Sequence, residues 1–319
     1  MMSREGRDDA DPGRTDGAAE RGADRFESES AGEIKRKIEA LRLVMSARPE
    51  TRHDQGPAVP GSAIGDGSEG AVGTDAIEDS REIVSPYGKC LRIDKAVGDL
   101  HGMEHLTADS LTSALGRIAC GPLGRTGVGT EFGTEIGAVV RAAGSQGKRV
   151  VFLDLETTGL SATPLFLAGT LLVGPDRLAA VQLLARDYSE ERCLIGFLDG
   201  LLEECDVCIT FNGKSFDLPY LRERAKYHRL GLRSSPEQFD LLHHARRRWK
   251  HALPDCRLLT LEWHILGRRR LGDVDGWIVP CIYHEFVHTR DARRLKQVLR
   301  HNLMDVLSMA ELVISLSET

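Results

Sequence analysis

Residues 149–161, RVVFLDLETTGLS, restrict what this chain can fold into more than any other stretch. The unbroken apolar run that opens it, rich in Val, Phe and Leu, reads as a strand buried on both faces. Asp154 and Glu156 are set into that strand two residues apart. A strand repeats every two residues, so both carboxylates leave the same face. Thr157, Thr158 and Gly159 then end the strand in a turn. Two neighbouring carboxylates in an apolar setting repel each other and lose hydration, a cost that only a cation or a shared proton offsets.

A chain of 319 residues suffices for one large domain or two small ones. Residues 1–85 hold 19 of the 48 acidic side chains and 12 of the 42 basic ones. The acidic balance therefore belongs to the N-terminal arm and does not argue against a nucleic-acid partner. No apolar run approaches the ~18–20 residues that span a bilayer, and the N-terminus is charged from Arg4 onward without an apolar signal region. The expectation is a soluble, cytoplasmic protein with no membrane association. The 7 cysteines are scattered, so no disulfide framework is expected. Cys205 and Cys208 form a CxxC without a second pair at zinc spacing and read as buried thiols.

Residues 1–30 are rich in charge, Gly and Ala and are expected to be disordered. Residues 33–48, EIKRKIEALRLVMSAR, place Ile34, Ile38 and Leu41 at helical spacing. That predicts a short amphipathic helix that docks on the body or contacts a protein partner. Residues 49–80 read as linker, so 1–84 form a mostly disordered arm. Residues 85–147 predict a strand or two and one helix, as a small subdomain or an extension of the sheet, followed by a Gly-rich linker over 122–147. From 148 to 319 the texture is compact α/β. An antiparallel hairpin is expected over 166–174 and 178–186, then a helix over 190–204 and a strand over 207–211. Helical patterns follow at 216–228, 239–250, 258–266, 280–288 and from Asp291 to the end. Three strands followed by alternating helix and strand predict a mixed sheet with helices packed on it.

Two further places put a carboxylate within reach of a sheet-centred site. Asp217 follows the strand over 207–211, and Asp305 sits within the last helix, with His301 four residues earlier on the same face. Each has a bland reading: Asp217 as a helix N-terminal carboxylate favoured by the dipole, His301 and Asp305 as a border hydrogen bond. Their occurrence together in one α/β domain raises the joint reading.

The segments FLDLETTGLS, ITFNGKSFDLPYL and HNLMDVLSM resemble the three successive exonuclease motifs of the DEDD superfamily. Within it the chain is similar to the YprB-type ribonuclease H-like domain, including FDLLHHARRRW and CRLLTLEWHILG. The resemblance covers 148–316 and implies a ribonuclease H-like mixed five-stranded sheet flanked by helices. It also implies a metal-dependent 3′–5′ exonuclease, in which Asp154 and Glu156 match the first two acids, Asp217 the third and Asp305 the fourth. His301 matches the general base. The histidine-type branch places that residue five positions before the last Asp; here the gap is four, as in the tyrosine-type branch. One helical residue is a rotation of about 100°, so the base would approach from a different direction.

The chemistry agrees with that implication. Phosphodiester hydrolysis places charge on the attacking and leaving oxygens together, which two divalent cations can stabilise. Mg²⁺ or Mn²⁺ prefers hard oxygen ligands, such as the carboxylates of Asp154, Glu156, Asp217 and Asp305. His301, with an ordinary pKa of about 6.5, suits a general base. Residues 241–300 carry thirteen Lys/Arg against six Asp/Glu, including the runs 246–248 and 268–270. A groove tracking single-stranded DNA or RNA is expected there. Thr157, Asn212, Lys214, Arg246, Arg247 and Arg293 are the candidate contacts, and Trp249 and Trp277 either stack bases or pack in the core. Two other functions fit parts of the pattern: a nucleic-acid-binding module with weak or no catalysis, and a phosphatase of small phosphoesters.

Overall fold

The computed structural model describes residues 73–120, 149–159, 163–174 and 177–318. The arm before residue 73, with its expected helix over 33–48, and the Gly-rich stretch 122–147 lie outside the described residues. The elements run β1 (Ser80–Ser85), β2 (Gly88–Ala96), α1 (Ala108–Cys120), β3 (Val150–Thr157), β4 (Leu165–Gly174) and β5 (Arg177–Leu184). Then come α2 (Glu191–Glu203), β6 (Val207–Thr210), α3 (Asp217–Tyr227), β7 (Glu237–Asp240) and α4 (Leu241–Trp249). The last three are α5 (Leu258–His264), α6 (Val279–Thr289) and α7 (Leu295–Ser317).

All strands join one mixed sheet in the order β1-β2-β5-β4-β3-β6-β7. The expected five-stranded sheet is thus corrected to seven strands. The hairpin β1–β2 adds itself to β5, with Leu91 opposite Leu184 and Ala96 opposite Ala179. The inner strand β2 buries Cys90, Leu91 and Ile93, whereas β1 at the edge has no fully buried residue. That gradient is what an edge strand requires, since only one of its sides finds a partner.

β3 lies between β4, antiparallel, and β6, parallel. Its residues alternate between two cores. Val151 and Leu153 join α2, α3 and α6 through Leu194, Leu198, Leu218, Leu221, Ile282 and Phe286. Val150 and Phe152 point the other way, toward α1, α4 and most of α7 through Leu111, Leu115, Ala245, Val306 and Met309. Burial of a large apolar side chain contributes ~1.5–3 kcal/mol, so this run of four fixes β3 firmly in register. The last helix starts at Leu295 rather than at Asp291, whose carboxylate accepts the Arg293 N–H at 3.0 Å in a turn before the helix. No described helix is long and apolar enough to cross a membrane.

Candidate active site

Asp154 continues the face of Val150 and Phe152, where the apolar alternation stops. Across the sheet it lies opposite Gly169 of β4, which lies opposite Gln182 of β5. Gly169 leaves room over this row for a side chain from α7, Asn302. A Cβ at 169 would lie 2.1 Å from the Asn302 Oδ1. Asn302 is wholly buried and donates from Nδ2 to the Asp154 Oδ2 at 2.8 Å and to its carbonyl at 3.2 Å. Its Oδ1 accepts from Gln182 Nε2 at 2.8 Å. The strand residue and the helix are thereby locked together by a fully used amide.

Asp217 reaches the same place from the next parallel strand. The turn after β6 is forced by Asn212 in the left-handed region, φ 67°, and by Gly213, where a Cβ would lie 2.4 Å from Thr210. Asp240 fastens that turn, accepting the N–H groups of Asn212 at 2.8 Å, Lys214 at 3.2 Å and Leu242 at 3.0 Å. Asp217 then opens α3, and its Oδ1 accepts the Leu155 N–H at 3.2 Å, beside the two acids of β3. Thr157 Oγ1 donates to the Gly159 carbonyl at 2.7 Å, closing the turn after a bulge at Glu156 and Thr157. A small cavity of about 80 Å³ opens here, lined by Leu155, Thr157, Gly159, Phe216, Asp217 and Tyr220.

The fourth acid is held by Arg270, which the sequence offered only as part of a basic run, and lies beside His301. Arg270 Nη2 lies 2.5 Å from Asp305 Oδ1 and also contacts Glu262, while its Nε reaches the other Glu262 oxygen at 2.8 Å. His301 sits one turn before Asp305, its Nε2 3.6 Å from Asp305 Oδ2. The other ring nitrogen, Nδ1, is 3.0 Å from both oxygens of Asp273. Arg270 also donates to Asp273 at 3.3 Å and to the His301 carbonyl at 3.3 Å. The run Arg268 to Arg270, expected to track phosphate, therefore divides. Arg270 is pulled inward by acids, and Arg268 pairs with Glu311 at 2.6 Å.

The electrostatics follow from this crowding. Burial, then the charges of Asp305, Glu156 and Asp217, push the Asp154 carboxyl far above the usual range. Burial raises Glu156 to about 8 against the opposing pull of His301, and raises Asp217 to about 7 against its backbone hydrogen bonds. Asp305 is raised by burial despite Arg270 and His301. Burial disfavours the charged His301 ring, but its bond to Asp273 and the fields of Asp305 and Glu156 win, so its pKa lies above the ordinary value.

Four carboxylates with too little positive charge among them are, in donor chemistry, a set suited to a hard divalent cation. Among the described residues, no group of three or more His, Cys, Asp or Glu side chains is arranged to hold a metal ion. Asp305 is engaged by Arg270 and His301, and Asp154 by Asn302. In this arrangement the chain's own cations stand against the acids.

The structure brings Asp154, Glu156, Asp217, His301 and Asp305 into one cluster. Arg246 and Arg247 lie exposed in the last turn of α4, and Arg293 pairs with Asp291 at 2.5 Å. Trp249 is core, whereas Trp277 is 42% exposed. Cys205 and Cys208 are free, buried thiols. The residues that were missed are Asn302, Gln182, Glu262 and Asp273, and Arg270 was read only as part of a phosphate-tracking run. A glycine inside the apolar strand β4 and an Asn inside the apolar helix were the available signals for the first two.

A family model described as the RNase_H superfamily matches residues 151–317. The uncharacterized protein YprB of Bacillus subtilis (strain 168) is 39% identical over 184 residues, 56% of this chain and 44% of that protein. The chain thus spans less than half the length of this relative. The structure of a family B DNA polymerase from the hyperthermophilic archaeon Pyrobaculum calidifontis aligns over 52% of this chain and 24% of its own. Its TM-score is 0.44 and its identity 19%.

Proposed function

Because this chain belongs to the RNase H superfamily, which includes nucleases, we propose that residues 148–319 are a metal-dependent 3′–5′ exonuclease of the DEDD type. Its substrate class is single-stranded DNA or RNA. One observation carries the reading: four carboxylates from β3, the start of α3 and the middle of α7 meet beside a single histidine, and burial raises all four, with repulsion from neighbouring acids adding to it.

Asp154, Glu156, Asp217 and Asp305 would hold two Mg²⁺ or Mn²⁺ ions, which supply charge stabilisation to the attacking and leaving oxygens of the phosphodiester. The remaining work falls to the chain. Asp273 engages His301 at Nδ1, which leaves Nε2 as the atom that takes the proton of the attacking water. Asn302 keeps the Asp154 carboxylate in one orientation against β4. Arg270, anchored by Glu262 as well as by Asp305, offsets acid charge before substrate arrives. Phe216, 54% exposed at the mouth of the cavity beside Asp217, offers a ring to a terminal base.

The test is cleavage of 5′-labelled single-stranded DNA and RNA oligomers with Mg²⁺, Mn²⁺ or EDTA. A metal-dependent ladder shortening from the 3′ end is expected. The engagement of Asp305 by Arg270 and His301 favours a second reading, a nucleic-acid-binding module without turnover. Binding of the oligomers with no shortening under any metal condition would select it.

A further inference from the structure

We propose that Arg269, which lies over the Trp263 ring, is a phosphate contact for the strand that the acid cluster cleaves; this rests on the exonuclease reading above. The pair flanks the cluster by chain connection alone. Glu262 and Arg270 meet each other at Asp305, and the residues next to them in sequence, Trp263 and Arg269, meet on the outside. The Arg269 guanidinium carbon stands 3.7 Å from the centroid of the Trp263 ring.

Charge separates Arg269 from its neighbours. Arg268 is matched by Glu311, and Arg270 by Glu262, Asp273 and Asp305. Arg269 is exposed, and among the described residues no acid pairs with it. Stacking uses the face of a guanidinium and leaves its N–H groups pointing outward in the plane, the geometry that recognises phosphate. It also fixes a long side chain that would otherwise lose rotamer freedom on binding. Trp263 is 51% exposed and Leu259, one turn earlier on α5, is 53% exposed. A protein partner covering this apolar pair would have to bury Arg269 with them, which is costly unless it brings an anion. A phosphodiester strand brings one at every residue and has to pass close by to reach Asp305.

The experiment measures binding of fluorescein-labelled single strands of about 12 nucleotides, DNA and RNA, across salt concentrations. The Asp154→Asn full-length chain is used so that nothing is cut. Adding Arg269→Gln should weaken binding several-fold and make the slope of log affinity against log salt shallower by about 0.7, the value for one lost phosphate contact on a single strand. Arg269→Lys should keep the slope while losing affinity, because an ammonium retains the charge but not the flat stack. Trp263→Leu should do the same. Affinity and slope unchanged in Arg269→Gln, on a chain that does bind the strand, overturn this proposal alone and leave the patch to a protein. If the Asp154→Asn chain binds no strand and the unsubstituted chain cuts none, the exonuclease reading falls and takes this one with it.

Discussion

Among the places where the described residues withdraw charge from solvent, two are built on opposite principles. At the start of α2, Glu191 is 1% exposed and accepts from the Leu165 N–H at 2.8 Å, from Arg224 Nε at 2.7 Å and Nη2 at 2.6 Å. His228 Nε2 is 2.7 Å from the same carboxylate. Burial alone would raise this carboxyl, but Arg224, His228 and the backbone amide bring it below the ordinary value. Around the end of β3, Asp154, Glu156, Asp217 and Asp305, with Glu262 and Asp273 close by, are opposed among the described residues by Arg270 and His301. There the four central carboxyls are all raised. Both clusters are withdrawn from solvent, fully at Glu191 and half-buried at the four acids, so burial by itself does not mark function. What separates them is whether the charge is matched.

The sharpest way to break this contrast is Asp154→Asn. Activity should fall at least about a thousandfold, the several kcal/mol expected when a group that organises transition-state charge is lost. Thermal stability should stay level or rise, because one member of a repelling set is gone while Asn can still accept from Asn302. A large loss of stability with activity retained would make Asp154 a structural residue. The counterpart is Arg224→Met. It leaves Glu191 buried without its main partner and should cost about 3–5 kcal/mol in urea unfolding. Adding Glu191→Leu should restore most of it. A cost below about 1 kcal/mol would mean that the matched cluster is not matched.

How much of this was legible in the sequence depends on whether a residue's role leaves a local pattern. β3 was readable because four apolar residues and two acids at strand spacing admit few other arrangements. The start of α3 and the His301–Asp305 pair were readable from spacing and from the resemblance. The hairpin β1–β2 was expected as a strand or two, in a small subdomain or an extension of the sheet; it extends the sheet, and β5 as the strand it joins was not readable. Its pairing is between distant segments, and half-exposed β1 carries no strong alternation. Arg270 and Asp273 lie in an irregular segment with no period. A run of three arginines looks the same whether solvated or drawn inward, and only the position of Asp305 and Glu262 decides. Asn212 and Lys214 illustrate the reverse case: their backbone amides bind Asp240, a tie that the turn composition alone did not reveal.

Asp273→Asn sharpens the comparison within the active cluster, since it removes a match rather than a repulsion. His301 would lose the carboxylate that orients its ring, and activity should fall about 10–100-fold, as for other orienting partners. Asp273 also raises the His301 pKa. Without it the ring becomes neutral at lower pH, so the acid limb of the pH–rate profile should move downward. A purely structural role for Asp273 would lower the rate and leave the limb where it was.

The smallest effect separates the two clusters by the sign of their pH dependence. In EDTA, Glu156 titrates at about 8 and Asp217 at about 7 in the folded chain, against about 4.3 and 3.9 unfolded. Between those limits the folded state binds more protons, so their stabilising contribution is full below about pH 4 and is lost as pH rises through 7 and 8. Glu191 has the opposite sign: its contribution is present above about pH 4.3 and is lost as pH falls through its lowered folded value. Urea midpoints should therefore decline from about pH 5 to about pH 8.5 without metal, and Mg²⁺ should flatten the decline. Glu156→Gln should make the decline shallower, leaving the portion due to Asp217, near 7, together with those of the raised Asp154, Asp305 and His301. Midpoints that climb with pH in EDTA would mean that the acids are already matched within the chain, with no unsatisfied charge left for a cation to meet.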